Sequence, residues 1–285
     1  MASETHDQRG AARPDDPYSR LNYRRLIAWP KRIAREWPFL ESVIATAPSG
    51  AVVDLGCGTG EHVRHIASRG LRAVGVDRSA EQIAAARAYE DESPPHGPSF
   101  VLGDFRELER LTDERFGVAL CLGNVLPHLE PPALAATLAA TADRLLPGGR
   151  LVLQWLNYER VLSQELRHLP LNFRPHPDGA ESEIVFLRLM KEAEPGYVHF
   201  YPTTLSLKPG SERPVDVEAT KEVRLRAWTA AEVETAARSA DLEIEARYGG
   251  MTRGAFEPSV STDVVLVARR PADARPARPG SGTPI

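Results

Sequence analysis

Cysteine is almost absent from this chain of 285 residues, which has only Cys57 and Cys121. Two thiols cannot form the disulfide framework of a small secreted protein or a four-thiolate zinc site. Long apolar runs are missing too. The opening residues have no apolar core of the kind found in a secretory signal, and no stretch approaches the roughly 18 apolar residues of a membrane-spanning helix. We therefore expect a cytoplasmic protein that does not engage a membrane.

An excess of positive charge is also missing, since 35 Lys and Arg face 39 Asp and Glu, for a formal net charge of −4. This balance argues against a protein held to nucleic acid mainly by charge. Hydrophobic residues (42%) and charged residues (26%) occur at the frequencies of an ordinary globular protein. The expected partner is a small molecule rather than a nucleic acid, and a homodimer is left open.

Short apolar runs alternate with helical stretches over the first half of the chain. The runs cover residues 51–55, 71–77, 99–104, 116–124 and 150–156. Uninterrupted apolar strands that alternate with helices are typical of a parallel sheet covered on both faces. Two later runs, at 241–249 and 262–270, would complete a seven-stranded sheet as a closing pair. The predicted fold class is α/β, with a Rossmann-like, doubly wound and mostly parallel sheet.

The rhythm changes between residues 157 and 227, where three loosely alternating runs are separated by turn-like breaks. We predict that this segment is an antiparallel insertion that covers the substrate. Residues 17–49 are predicted to form lid helices, broken near Trp29-Pro30 and Trp37-Pro38. These parts make one predicted domain over residues 17–270, between disordered tails at 1–16 and 271–285 that have little to bury.

A glycine-rich turn follows the first predicted strand, with Gly56, Gly58 and Gly60 after Asp54. Glycines there let the backbone approach a ligand closely, and the helix that follows presents free N–H groups. Asp77 ends the second strand, where a carboxylate can accept hydrogen bonds from both hydroxyls of a ribose. The pattern predicts a nucleoside-binding site. Its G-x-G-x-G spacing differs from the G-x-G-x-x-G of dinucleotide-binding proteins, which disfavours a nicotinamide dehydrogenase.

The segment from Asp54 to Gly60 resembles the first motif of the class I S-adenosylmethionine-dependent methyltransferases, and the resemblance spans roughly residues 50–155. It implies S-adenosylmethionine as the cofactor, with Asp77 on the ribose and Asp104 near the adenine amino group. Trp29 and Tyr23 would offer aromatic cover from the lid. The full set of implied cofactor-binding residues is Tyr23, Trp29, Arg32, Asp54, Gly56, Gly58, Gly60, Asp77, Arg78, Asp104, Phe105 and Leu122.

The segment Cys121–Leu129 and the pair Asn157-Tyr158 resemble those of glycine N-methyltransferases and related small-molecule N-methyltransferases. The resemblance implies that Asn124 lies beside the substrate amine and that His128 lies close to the cofactor. These two are the expected catalytic residues. It also implies that Arg32 grips the carboxylate of the cofactor's methionine part.

One departure from that family concerns Leu156, which stands where the family has an Arg that clamps the carboxylate of glycine. An apolar side chain cannot clamp a carboxylate. We therefore expect an acceptor that is bulkier or less acidic than glycine, in contact with Asn124, Leu156 and Tyr158. An Arg of the insertion, Arg174 or Arg188, could replace the clamp.

The expected reaction is in-line transfer of a methyl group to nitrogen, with S-adenosylhomocysteine as the product. Methylation of a hydroxyl with His128 as the base is an alternative. Binding of the cofactor without catalysis is another, and a methyltransferase of nucleic acid or protein is disfavoured by the acidic balance. No metal is expected, because His62 and His65 lie one helical turn apart without carboxylate or Cys partners.

Overall fold

The protein is described by a computed structural model that covers residues 23–88, 97–176 and 181–273. The tail predicted at 1–16 and nearly all of that at 271–285 lie outside these residues. The strands are β1 (Val52–Leu55), β2 (Ala73–Asp77), β3 (Ser99–Leu102), β4 (Phe116–Cys121), β5 (Leu145–Leu156), β6 (Asn172–Pro175), β7 (Glu183–Glu192), β8 (Tyr197–Leu207), β9 (Val215–Thr220), β10 (Val223–Arg226), β11 (Glu243–Tyr248) and β12 (Asp263–Arg269). The α-helices are α1 (Tyr23–Leu26), α2 (Trp29–Ala45), α3 (Glu61–Ser68), α4 (Ala80–Arg87), α5 (Leu108–Leu111), α6 (Pro131–Arg144), α7 (Tyr158–Ser163) and α8 (Ala230–Ser239).

The larger sheet has seven strands in the order β3-β2-β1-β4-β5-β12-β11. Strands β1 to β5 are parallel, whereas β12 pairs antiparallel with β5 and β11 pairs antiparallel with β12. The strand order reverses direction between β1 and β4, which is the position where open α/β sheets bind ligands. The prediction of a Rossmann-like, mostly parallel seven-stranded sheet with a closing pair is confirmed.

Both faces of this sheet are covered, which explains why its strands read as continuous apolar runs. Along β4, Val118 and Leu120 pack in the core that contains side chains of α2 and α3. Ala119 and Cys121 pack in the opposite core, which contains side chains of α6 and α8. Successive side chains of a strand point to opposite faces, and here neither face can tolerate a polar residue without a partner.

A smaller antiparallel sheet occupies the predicted insertion, with β8 paired to β7, β9 and β10, and β7 paired to β6. The three predicted runs are strands, and the last of them is divided into β9 and β10. Strand β6 was not predicted, because its four residues alternate between half-buried and exposed positions and carry little apolar signal. Met190, Phe200 and Leu225 of this sheet share one core with α6 and α8, so the smaller sheet packs firmly on the larger one.

The predicted break near Trp37-Pro38 is wrong, since α2 continues through Pro38 without interruption. Pro38 is exposed, whereas Trp37 and Leu40 beside it are buried. Packing of this face outweighs the single backbone hydrogen bond that proline removes. A break near Pro30 is present, because α1 ends before it and Pro30 lies in the first turn of α2, where no N–H donor is needed.

The end of α6 depends on a residue far along the chain. The sequence of residues 132–146, followed by Pro147-Gly148-Gly149, predicts a helix that reaches residue 146, but α6 ends at Arg144 and β5 follows at once. Arg270 is 4% exposed, and its Nη1 donates hydrogen bonds to the carbonyl oxygens of Ala142 (2.8 Å), Asp143 (3.2 Å) and Leu145 (2.7 Å). These include carbonyl groups that a helix end leaves without partners.

Arg270→Met should lower the free energy of unfolding by about 2–3 kcal/mol, because buried carbonyl groups would lose a charged donor. Urea denaturation followed by circular dichroism measures this change. The matched control is Arg269→Met, which removes a neighbouring Arg whose Glu243 partner is exposed. The control should change stability by less than about 1 kcal/mol. Equal effects of the two substitutions would contradict the capping role.

Candidate active site

A cavity of about 320 Å³ lies at the carboxyl ends of β1, β2 and β4, beside the point where the strand order reverses. Twelve of the sequence-predicted site residues line it, which places the motifs from distant parts of the chain in one site. They are Trp29, Arg32, Asp54, Gly56, Gly58, Asp77, Arg78, Asp104, Phe105, Leu122, Asn124 and His128.

Of the four other predicted residues, three do not line the cavity, and the side chain of the fourth is not among the parts of the chain that the structure describes. Gly60 has φ +80° at the start of α3, and a Cβ there would collide with the ring of Phe100, so its role is to fit the turn against β3. Leu156 and Tyr158 are buried in the core that contains α6 and α8. Tyr23 begins α1, but its side chain lies outside the part of the chain that the structure describes.

The glycine turn and the end of β2 are held together by one carboxylate. Asp77 Oδ2 accepts a hydrogen bond from the backbone N–H of Gly58 (2.8 Å), and Oδ1 accepts one from Ser79 (2.9 Å). Gly58 has φ +55°, and no atom lies within 4 Å of the position where a Cβ would stand. Glycine is therefore required by the backbone conformation, and its missing side chain leaves open space beside Asp77.

Charged side chains from α2, α3 and β1 meet at the end of the cavity next to the lid helices. The Glu36 carboxylate is buried, accepts a hydrogen bond from Arg32 Nε (3.0 Å) and lies 2.9 Å from His62 Nε2. Burial by itself would raise the pKa of Glu36, but hydrogen bonds and charge from His62 and Arg32 lower it to about 2. Burial raises the pKa of Asp54 to about 6, against the opposing charges of His62 and Arg32.

At the other end of the cavity, Asp104 caps a short 3-10 turn that begins at Phe105. Arg106 donates from Nε to both carboxylate oxygens of Asp104 (2.9 Å each). Burial would raise the pKa of Asp104, but the hydrogen bonds and charge of Arg106 lower it below its ordinary value. Phe105 is buried in the core, so the turn is fixed from below while Asp104 stays at the cavity wall.

The turn after β4 is fixed by side-chain hydrogen bonds. Gly123 and Asn124 both have positive φ, 73° and 71°. Gln154 Oε1 accepts from the N–H of Gly123 (2.7 Å), and Asn124 Oδ1 accepts from the N–H of Leu156 (3.0 Å). Asn124 Nδ2 also donates to the hydroxyl of Tyr158 (3.0 Å). Leu156 and Tyr158 therefore contact Asn124 from behind and do not line the cavity themselves.

Sequence reasoning missed several residues of the site, chiefly Glu36, His62, Arg106 and Glu130. His62 was considered only as a metal ligand. The opposite charges of Arg32 and Glu36 at i and i+4 were a signal that could have been read. Glu130 carried no comparable signal, because its partners Tyr197 and Arg224 lie far along the chain. Arg106 lies two residues after Asp104, and the opposite charges of this close pair were a second local signal.

The smaller sheet does not contribute to the described cavity wall, whose residues all lie between Trp29 and Ala133. It is attached beside the cavity instead. Glu130, a wall residue, accepts hydrogen bonds from the Tyr197 hydroxyl (2.6 Å) and from Arg224 Nη1 (2.7 Å). The lid also touches this sheet, since Leu26 of α1 packs with Ile184 and Phe186. Any cover that the sheet gives to a substrate thus lies beyond this wall.

Within residues 23–88, 97–176 and 181–273, no group of three or more His, Cys, Asp or Glu side chains is placed to hold a metal ion. Among the same residues, no helix has the length and apolar character needed to cross a membrane.

Comparison with known proteins adds to this geometry. Residues 52–149 match a family model described as a methyltransferase domain. The chain is 30% identical over 141 residues to a glycine/sarcosine N-methyltransferase of Aphanothece halophytica, which covers 49% of this chain and 52% of that protein. Matches over shorter stretches include both N- and O-methyltransferases. The chain spans about half or less of the length of these relatives.

Two solved structures share most of the architecture. The CcbJ methyltransferase of Streptomyces caelestis is 26% identical with a TM-score of 0.63, covering 84% of this chain and 90% of that one. An S-adenosylmethionine-dependent methyltransferase of Clostridium acetobutylicum has a TM-score of 0.67 at 16% identity, covering 89% and 96%. At that identity the second likeness shows the fold alone.

The sheet order, the cavity where that order reverses and the carboxylate at the end of β2 define a nucleoside-binding α/β protein. Residues 52–149, which include most of the cavity wall, match a methyltransferase domain, and this match supports the expected class I methyltransferase family with S-adenosylmethionine as the cofactor.

The stability of the protein should depend on pH through Asp54. Its pKa is raised from 3.8 to about 6, so the folded protein binds this proton more tightly than the unfolded chain does. The contribution of Asp54 to the free energy of unfolding therefore falls as pH rises through that window. Asp54→Asn should gain stability over the wild type across the same window, as measured by urea denaturation at a series of pH values.

Glu36 should change the pH dependence of stability in the direction opposite to Asp54, which Glu36→Gln tests. The pKa of Glu36 is lowered from 4.5 to about 2. Its contribution to the free energy of unfolding is therefore complete above pH 4.5 and is lost as the pH falls toward about 2. Glu36→Gln should therefore be less stable than the wild type at neutral pH, with a smaller deficit in acid. If the curve of Asp54→Asn runs parallel to that of the wild type, the burial argument for Asp54 is wrong.

Proposed function

We propose that this protein is an S-adenosylmethionine-dependent methyltransferase that acts on a small molecule, with nitrogen as the acceptor atom. The observation that carries the proposal is the joint position of Asp54, Asp77 and Asp104 on one cavity wall at the switch point of the sheet. The matched glycine/sarcosine N-methyltransferase supports a small acceptor and nitrogen. O-methyltransferases among the shorter matches keep oxygen as the second candidate.

The residues present fit the cofactor. Asp77 would accept from the ribose hydroxyls, in the open space that Gly58 leaves. Asp104 would accept from the adenine amino group at the far wall. At the lid end, Arg32 offers its terminal nitrogens to a carboxylate, and Asp54 offers a carboxylate to an ammonium group.

When bound, S-adenosylmethionine supplies the activated methyl group and the leaving sulfur. The task of the protein is then to orient the acceptor and exclude water. Asn124 does this through the turn it fixes, because both ends of its amide already contact Leu156 and Tyr158. An amine acceptor needs only to arrive neutral, so no strong base is required. His128 lies on the cavity wall and would be the base for a hydroxyl acceptor.

The acceptor is proposed to be bulkier or less acidic than glycine. Leu156 provides no charge, and neither Arg174 nor Arg188 lines the described cavity. Arg188 instead donates to the carbonyl oxygen of Pro170 (2.8 Å) and lies over the ring of Phe186. These contacts support an acceptor site without a carboxylate clamp from the smaller sheet.

Asp77→Ala should weaken binding of S-adenosylhomocysteine by about 1–3 kcal/mol, because it removes charged acceptors from the ribose. Isothermal titration calorimetry measures the change. Asp77→Asn is the matched variant, since it keeps one oxygen for the turn and should lose less. Unchanged affinity in Asp77→Ala, or binding of NAD in place of S-adenosylhomocysteine, would contradict the assignment.

The acceptor prediction is tested by transfer of a labelled methyl group to a panel of amines, phenols and nucleic acids. We expect label on neutral or amine-bearing small molecules with apolar bulk, and a specificity constant for glycine at least about tenfold lower, because a bidentate charged contact is missing. Efficient methylation of glycine would overturn this reading. Label on phenols alone would move the reaction to oxygen.

A further inference from the structure

Glu36 is a buried acid that takes no part in the roles given so far. It lies on α2, one turn after Arg32, and only 3% of its surface is exposed. Both of its oxygens accept from Arg32 Nε (3.0 and 3.2 Å), and Oε2 lies 2.9 Å from His62 Nε2. A carboxylate withdrawn from water is unfavourable unless charged partners surround it, so its place calls for an explanation beyond stability.

The contact with Glu36 determines which nitrogens of Arg32 remain for a ligand. Nε is occupied by Glu36, and the two terminal nitrogens lie near Gly123. They are 3.5 Å (Nη2) and 3.7 Å (Nη1) from the point where a Cβ on Gly123 would stand, at the cavity wall. The guanidinium carbon also lies 4.9 Å from the ring centroid of Trp29, which restricts the plane of the group.

His62 anchors Glu36 to the rest of the site. It is the second residue of α3, directly after the glycine turn, and its ring packs edge-on against Trp29 at 5.7 Å. Glu36 therefore bridges the lid helix and the helix that begins at the cofactor turn. A planar guanidinium held on one edge, with two donors facing a cavity, is suited to bidentate binding of a carboxylate.

We propose that Glu36 is a positioning residue that orients Arg32 so that its two terminal nitrogens bind the carboxylate of the cofactor's methionine part. This inference rests on the proposed function. Glu36 does not touch the ligand itself. Its negative charge, considered alone, would repel the ligand's carboxylate and attract its ammonium group, and this effect would persist without Arg32. A positioning effect acts through Arg32, so it disappears when Arg32 is removed.

The test compares two ligands that share a nucleoside. S-adenosylhomocysteine carries the amino-acid carboxylate and ammonium groups, and 5′-methylthioadenosine lacks both. Calorimetry gives the ratio of their dissociation constants for the wild type and for Glu36→Ala, Glu36→Gln and Arg32→Ala. We expect Glu36→Ala to reduce the preference for S-adenosylhomocysteine about tenfold, the scale of one charge-assisted hydrogen-bonding contact.

Glu36→Gln should lose less of this preference, because its amide oxygen can still accept from Arg32 Nε. Arg32→Ala combined with Glu36→Ala should resemble Arg32→Ala alone, since Glu36 acts through Arg32. Binding of 5′-methylthioadenosine should stay unchanged in every variant, which shows that the nucleoside site is folded. The matched control is Glu114→Gln, which alters a Glu paired with Arg72 away from the cavity and should keep the wild-type ratio.

The outcomes separate the two claims. If the wild type binds both nucleosides and Glu36→Ala keeps or increases the preference for S-adenosylhomocysteine, the positioning role is overturned and the proposed function stands. If the wild type binds neither nucleoside, the proposed function fails and the positioning role fails with it.

Discussion

The hydrogen bond from the N–H of Gly58 to the carboxylate of Asp77 is the interaction on which the site depends. It joins the turn after β1 to the end of β2, two strands already paired in parallel. The turn can form only because its glycines adopt positive φ, and the helix that follows it carries His62 to the lid. The ribose site, the start of α3 and the contact with the lid are therefore consequences of one local geometry.

The lid and the turn after β4 complete the cavity from opposite sides. Arg32 and Trp29 enter from α2, and Gly123 and Asn124 are held by Gln154 and the backbone of β5. On the lid side, Arg32 is held by the buried Glu36, which would be unfavourable without a charged partner. On the other side, the half-buried hydrogen bond of Asn124 to β5 fixes the turn. Rigid placement of this kind is what an in-line methyl transfer demands from a protein that contributes little covalent chemistry itself.

The smaller sheet provides the part of the molecule in which acceptor specificity is expected to lie. It shares a core with α6 and α8, contacts the cavity wall through Glu130 and meets the lid through Leu26. Helix α1 packs on the smaller sheet, and the next helix, α2, lines the cavity. The two lid helices therefore connect the smaller sheet to the cavity.

The sequence by itself determined the larger sheet and the nucleoside end of the site. Continuous apolar runs predict buried parallel strands, and the glycine turn with Asp77 is a local pattern whose chemistry follows from backbone conformation. Tertiary structure decided the rest. Packing kept α2 intact through Pro38, and Arg270, which follows β12, set the end of α6. Glu36 pairs with His62, and Asn124 contacts Leu156 and Tyr158. No sequence periodicity connects these residues, because such contacts depend on which elements meet in space.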